Sequence, residues 1–321
     1  MEPKVGLIKK ISLIVLAAVT LLTVTTSLQA QAATPYYDKS INQAVSYIKT
    51  KTSKNDLDAW DALAVKRSPK GMSSAAKKVF KKRLAAKFKS LDGHYAAVDY
   101  ERSLIGAVSV GVKPTKYEGK NLVTGIIKTA PKSNAGINGK IWGAIALSTA
   151  NYGKTSTKTV KTLIAQIVKA QNTQGGWAIS GSVSDVDVTG MALMALGMHK
   201  TYPGVKTAIK RAESMLKKQA YHPSTGDFII KNAFTNQANA NSNALAIAGL
   251  SAAGINPETT FKGKGSLTPI RRLIKFQKTT GQFRWLFGRN TGALHMSTQQ
   301  AAYAMEQYRY YRLNKGSIFK F

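Results

Sequence analysis

The chain has 321 residues, with 47 Lys and Arg against 15 Asp and Glu, a formal net charge of +32 and no cysteine. The missing cysteine excludes disulfides and every site that needs a thiolate, so stability must come from packing. The surplus positive charge draws the chain toward polyanions. Lysine nevertheless predominates over the arginine favoured for base readout, and the basic residues are scattered, which argues against specific nucleic-acid recognition.

Lys4, Lys9 and Lys10 precede an apolar run at 11–22, and Ala30-Gln31-Ala32 supplies small residues for a cut after Ala32. That layout predicts a secretory signal peptide over 1–32 and a single domain over 33–321. The run is too short and too rich in threonine for a membrane span. An exported, strongly cationic monomer is therefore expected at a bacterial cell surface, held by anionic envelope polymers or lipid headgroups. The histidines His94, His199, His222 and His295 share no short ligand spacing, so neither a metal nor a cofactor is expected.

Beyond a short lead at 34–39 the hydrophobic pattern is helical throughout and falls into six successive pairs. These are 41–49 with 57–65, 74–88 with 97–110, 121–129 with 139–150, 157–170 with 187–199, 205–219 with 241–253, and 266–276 with 297–311. The second member of several pairs is rich in alanine, as at Ala144, Ala146 and Ala150 or Ala244, Ala246, Ala248 and Ala252. Small side chains permit close packing on both sides and suit an inner ring. First members such as 205–219 carry lysine on one face and apolar residues on the other, as a solvent-exposed outer ring requires.

An internal echo runs through the later pairs. Gln171 with Gly175-Gly176-Trp177 is followed by Gln219 with Gly226-Asp227-Phe228, and then by Gln277 with Gly281-Gln282-Phe283. Each puts a glutamine at a helix end, then a glycine turn, then an aromatic placed to pack between neighbouring pairs. With the stretch QNTQGGWAISGSVSDVDVTGMALMAL at 171–196, this resembles the repeat of the α/α toroids. That fold is shared by terpene cyclases, protein prenyltransferases and the cobalamin-binding domain of intrinsic factor and transcobalamin, and bacterial surface proteins related to the last resemble this chain most. The resemblance implies an all-α, α6/α6 toroid, with an open helical solenoid as the alternative.

It also implies that a ligand rests at one mouth of the ring, among residues that begin the inner helices. Carried onto this sequence, those are Asp185, Asp187 and Thr189; Asn241 and Asn243; Ser297, Thr298, Gln299 and Gln300; Asp56, Asp58 and Trp60; and Asn138 with Trp142. Such a mouth suits a polar small molecule, a glycan or a peptide. The same residue types are ordinary helix N-caps, and Asp187 is placed to cap its helix.

Asp185-Val186-Asp187-Val188 is similar to the DxDD acid motif of class II terpene cyclases, with Val188 where the last aspartate belongs. Two functions follow as expectations: an envelope-associated binding protein without catalysis, or an enzyme acting on glycans or isoprenoids with Asp187 as its acid. Glu101, among basic neighbours, reads as half of a local ion pair, and the basic, aromatic C-terminus reads as closing the ring, with the tail past Asn314 reaching outward.

Overall fold

A computed structural model describes residues 35–50, 57–231 and 236–321. The expected signal segment at 1–32 and the candidate Asp56 lie outside the described residues. Tyr37–Phe321 forms one unit. In chain order the hairpins are α1 (Tyr36–Thr50) with α2 (Ala59–Arg67), α3 (Ser74–Lys89) with α4 (Ala97–Ser109), and α5 (Leu122–Thr129) with α6 (Gly136–Leu147). They continue as α7 (Lys154–Lys169) with α8 (Val186–Gly197) and α9 (Val205–Met215) with α10 (Ala240–Ala252). After the one-turn α11 (Pro257–Thr260), α12 (Pro269–Ile274) pairs with α13 (Leu294–Arg312). A two-residue antiparallel ribbon, β1 (Tyr221–His222) with β2 (Asp227–Phe228), sits in the fifth connection.

The second helices form the inner ring. α2 packs on α4, α4 on α6, α6 on α8, α8 on α10, α10 on α13, and α13 returns to α2, so the ring is a closed toroid and not an open solenoid. Helices surrounded on all sides must be apolar or small all round, and every residue over 240–251 of α10 is buried. The outer helix α9 instead buries one stripe, Val205, Ala208, Ile209, Ala212 and Met215. α8 and α10 approach backbone to backbone, because Gly190 faces the Leu245 carbonyl and a Cβ on Gly249 would stand 2.8 Å from the Gly190 Cα.

The echoed glutamines are the seams between hairpins. Gln171 donates from Nε2 to the Gly175 carbonyl in its own turn and to the Ala208 carbonyl of α9, both at 2.8 Å. Gln277 repeats the arrangement across the closure, donating to Gly281 at 3.1 Å and to the Ser40 carbonyl of α1 at 2.9 Å. Gly175 and Gly281, at φ +98° and +90°, lie against the carbonyls of Arg211 and Gln43, one turn further along those outer helices, where a side chain has no room. Gln219 departs from the pattern: it makes one 3.4 Å contact to Gln174 from an exposed position. The α9 helix ends there in a π turn over Leu216–Ala220, which carries the chain into the β-ribbon.

The closing contacts fall as expected on the tyrosine-rich end of α13, where Tyr308 packs edge-on against Tyr37 at 5.2 Å and Arg309 pairs with Asp38 at 3.2 Å. The tail, however, turns inward and not outward. Asn314 and Gly316 adopt positive φ, and Gln307 donates to the Gly316 carbonyl at 2.9 Å and accepts the Ile318 N–H at 3.0 Å. Ile318 and Phe319 are fully buried, and Arg67 donates to the carbonyls of Ile318 and Lys320 at 2.5 and 2.6 Å. The sixth hairpin's outer helix is shorter than its apolar pattern, because Pro269 at the first turn fixes its start and the Thr268 hydroxyl caps it.

Candidate functional site

The starts of α2, α4, α6 and α13 surround a cavity of about 740 Å³. Its lining includes six of the residues singled out from sequence: Asp58, Trp60, Asn138, Trp142, Gln299 and Gln300. One wall is aromatic. The Trp60 and Trp142 rings lie 4.5 Å apart and Tyr303 stands 6.2 Å from Trp60. Behind that wall the inward-turned tail places Phe319 edge-on to Trp142 at 5.9 Å.

The α2 and α13 side of the rim is a closed polar network. Asp58 is the N-cap of α2, its Oδ1 accepting the N–H groups of Trp60 and Asp61 at 2.8 and 3.3 Å and the Gln299 amide at 2.9 Å. Asp61 completes the capping box by accepting the Asp58 N–H at 2.9 Å. His295 Nε2 lies 3.0 Å from both Asp61 oxygens, and burial raises the proton affinity of Asp61 against the opposing effect of that imidazole.

The α4 side is different. Glu101 is 1 % exposed and neither carboxyl oxygen has a hydrogen-bond partner. Burial, with a smaller contribution from Asp99, pushes its pKa up to about 9, so the group is a neutral acid at neutral pH. The ion pair expected for it does not form: α4 turns Glu101 inward onto the stripe that carries Leu104 and Ile105, and Arg102, the next residue, is half-buried and makes no contact with its carboxyl.

At the start of α8 the two aspartates divide their work. Asp185, not Asp187, is the N-cap: its Oδ1 accepts the N–H groups of Asp187 and Val188 at 2.8 and 3.0 Å. Asp187 is thereby left without a capping role. Its Oδ1 is buried without a partner, and burial together with the Asp185 charge raises its pKa to about 7 against a hydrogen bond from Ser242. It is not among the residues that line the cavity but stands one turn before Met191, which is; burial, with a smaller contribution from the Asp187 charge, raises the proton affinity of the Tyr303 hydroxyl on the cavity wall.

The remaining sequence candidates lie inside the helical packing. Thr189, Asn243 and Thr298 are fully buried and perform one repeated task, accepting the N–H of the turn aromatics Trp177, Phe228 and Phe283 at 3.1, 2.7 and 3.0 Å. Asn243 also donates to Asp227 at 2.7 Å, which in turn pairs with Arg272 at 2.8 Å. Ser297 donates to Asn241 at 2.5 Å and ties α13 to α10. Trp177 is structural, its indole donating to the Ile167 carbonyl at 2.7 Å.

No protein-family model matches the sequence, and neither does any curated protein. Solved structures do. A ligand-free variant of the type II terpene cyclase MstE from Scytonema superposes with a TM-score of 0.57 at 13% identity, over 86% of this chain and 97% of that one. A second MstE variant, in complex with geranylgeranyl dihydroxybenzoate as substrate, gives 0.58 at 13% identity over the same shares. A third, in complex with merosterolic acid A as product, gives 0.55 at 12%. The fold is terpene cyclase-like.

On this cyclase-like ring Val188, at the position of the motif's last acid, is a core residue with 1% exposure. Among the described residues no three His, Cys, Asp or Glu side chains cluster as a metal site. Glu101, Arg102 and His295 also line the cavity and were not candidates from the sequence. The one legible sign of Glu101 was an acid three and four positions before Leu104 and Ile105, on the apolar face of α4.

Proposed function

We propose that the protein is a terpene cyclase-like enzyme that holds an amphipathic, isoprenoid-like substrate in the mouth cavity and protonates it with Asp187, one turn from the cavity-lining Met191, as the acid. The observation that carries this reading is the release of Asp187 from capping. An unpartnered carboxyl oxygen with a pKa of about 7 holds a transferable proton near neutral pH. An epoxide oxygen accepts a proton from an acid of that strength more readily than an alkene carbon, which favours an epoxide-bearing substrate. The faces of Trp60, Trp142 and Tyr303 then offer electron density to the cation that develops as the oxygen is protonated.

The test incubates the protein with a terminal epoxide of a C15 or C20 isoprenoid and follows cyclised product by mass spectrometry. Turnover that disappears in Asp187→Asn with helicity unchanged supports the assignment. A wild-type protein that turns over none of these compounds, or a variant that matches it, sinks the enzyme reading.

A second reading is favoured by Val188 and by the spent carboxylate of Asp185, which leave Asp187 without a further acid to strengthen it. Here the toroid binds its ligand without chemistry and is held at an envelope by its net charge of +32. Release of the protein from anionic cell-wall preparations by 1 M salt would support that location, and retention would exclude an electrostatic hold.

A further inference from the structure

We propose that Glu101 and Arg102 form a headgroup subsite for a carboxylate, carried on the polar end of an amphipathic ligand whose apolar body lies against Trp60, Trp142 and Tyr303. This rests on reading the cavity as a ligand site, and it requires no chemistry there.

Glu101 is 1 % exposed, lines the cavity, and has both carboxyl oxygens without a partner. An isolated charge so buried is disfavoured, so the carboxyl holds its proton, consistent with its raised pKa of about 9. A neutral carboxyl buried in a cavity wall is an O–H donor in want of an acceptor. Arg102, the next residue, lines the same cavity, and its Nε–H is likewise buried without an acceptor. Two adjacent donors, one of them cationic, call for an oxyanion.

Local construction supports a built site. Gly139 and Gly143 of α6 face Glu101, and a Cβ on them would stand 3.7 and 3.3 Å from its Oε1, so the opposing helix packs bare backbone against the carboxyl and supplies no side-chain acceptor from those positions. Asn138, the residue before Gly139, also lines the cavity. The acidic groups on the far rim are already engaged, Asp58 by two backbone N–H groups and Gln299, and Asp61 by His295. One guanidinium and one neutral acid match a monoanion. A phosphate dianion would leave a charge uncompensated near Asp99, whose charge already acts on Glu101.

The experiment is calorimetric titration of the full-length protein at pH 7.5 with four probes sharing one tail: dodecanoate, dodecanol, dodecylamine and dodecyl phosphate, all below micelle formation. Dodecanoate is expected to bind about tenfold or more tightly than dodecanol, with dodecylamine and dodecyl phosphate no tighter than dodecanoate. Arg102→Gln should erase the preference for dodecanoate over dodecanol. Glu101→Gln, which keeps an N–H donor, should retain most of it, and Glu101→Leu should lose several-fold.

Equal binding of dodecanol and dodecanoate overturns the proposal, as does a preference that survives Arg102→Gln. Tighter binding of dodecyl phosphate by tenfold overturns the carboxylate assignment. Because Arg102 is partly exposed, its variant keeps the test open even if the Glu101 variants fold poorly. Loss or absence of turnover at Asp187 leaves these comparisons unaffected, so the two readings fail separately.

Discussion

Gln277 and Ser40 stand 237 positions apart and hold each other by two hydrogen bonds, the Ser40 hydroxyl donating to Oε1 at 2.6 Å and Nε2 donating to the Ser40 carbonyl at 2.9 Å. The equivalent glutamine, Gln171, makes the same backbone contact between consecutive hairpins. Ring closure thus uses the ordinary hairpin seam, applied once between the last hairpin and the first.

That equivalence predicts a graded response to glutamine removal. Gln277→Ala and Gln171→Ala each remove the two seam hydrogen bonds donated by Nε2 and leave the turn carbonyl of Gly281 or Gly175 without its glutamine donor, and are expected to lower unfolding free energy by about 1–3 kcal/mol. Gln219→Ala, at an exposed site with one long contact, should stay within roughly 0.5 kcal/mol. Urea denaturation midpoints check the order, and an equal loss at all three positions would refute the seam assignment.

The division of labour between Asp185 and Asp187 predicts opposite effects on stability. Asp185→Ala removes the N-cap of α8 and should cost about 0.5–2 kcal/mol. Asp187→Asn removes an ionisable group that burial disfavours in its charged form, so at pH 8 it should leave stability unchanged or raise it. A comparable loss from both would return Asp187 to a structural role.

Glu101 sets a pH dependence with a definite sign. Its ordinary value is 4.5 and its folded value about 9, so between those limits the native state binds more protons than the unfolded chain. Stability therefore falls as pH rises through that window, with a contribution on the order of a few kcal/mol. Glu306, fully buried and raised well above its ordinary value by burial, acts in the same direction. Glu101→Gln is expected to flatten the fall in thermal midpoint between pH 5 and 9, and an unchanged slope would show that the carboxyl ionises freely.

The inward tail predicts that Phe319→Ala costs about 3–5 kcal/mol, as for a fully buried aromatic. Because Phe319 backs Trp142, tryptophan fluorescence should shift along with stability. An outward tail would give neither effect.

The repeat was legible because its parts are local. A glutamine, a glycine turn and an aromatic recur at 171–177, 219–228 and 277–283, and the alanine-rich second helices mark the inner ring by composition. The candidate site residues were less legible because one residue type serves two ends. Thr189, Asn243 and Thr298 begin inner helices just as Asp58 and Asn138 do, yet the first three turn toward the turn aromatics and the last two toward the cavity. Glu101 was hidden by its basic neighbour Arg102, whose charge suggested an ion pair that the two side chains, on one cavity wall, do not make.

By itself the sequence determined the all-helical character, the six hairpins and the turn chemistry that joins them, since these follow from periodicity and from residues a few positions apart. Only the tertiary structure decided that the ring closes, that the tail enters it, that Asp185 caps while Asp187 does not, and that Glu101 meets the cavity without a partner. Those outcomes depend on which face of each inner helix the ring turns inward. That choice is set by packing among helices far apart in the chain, and no local pattern encodes it.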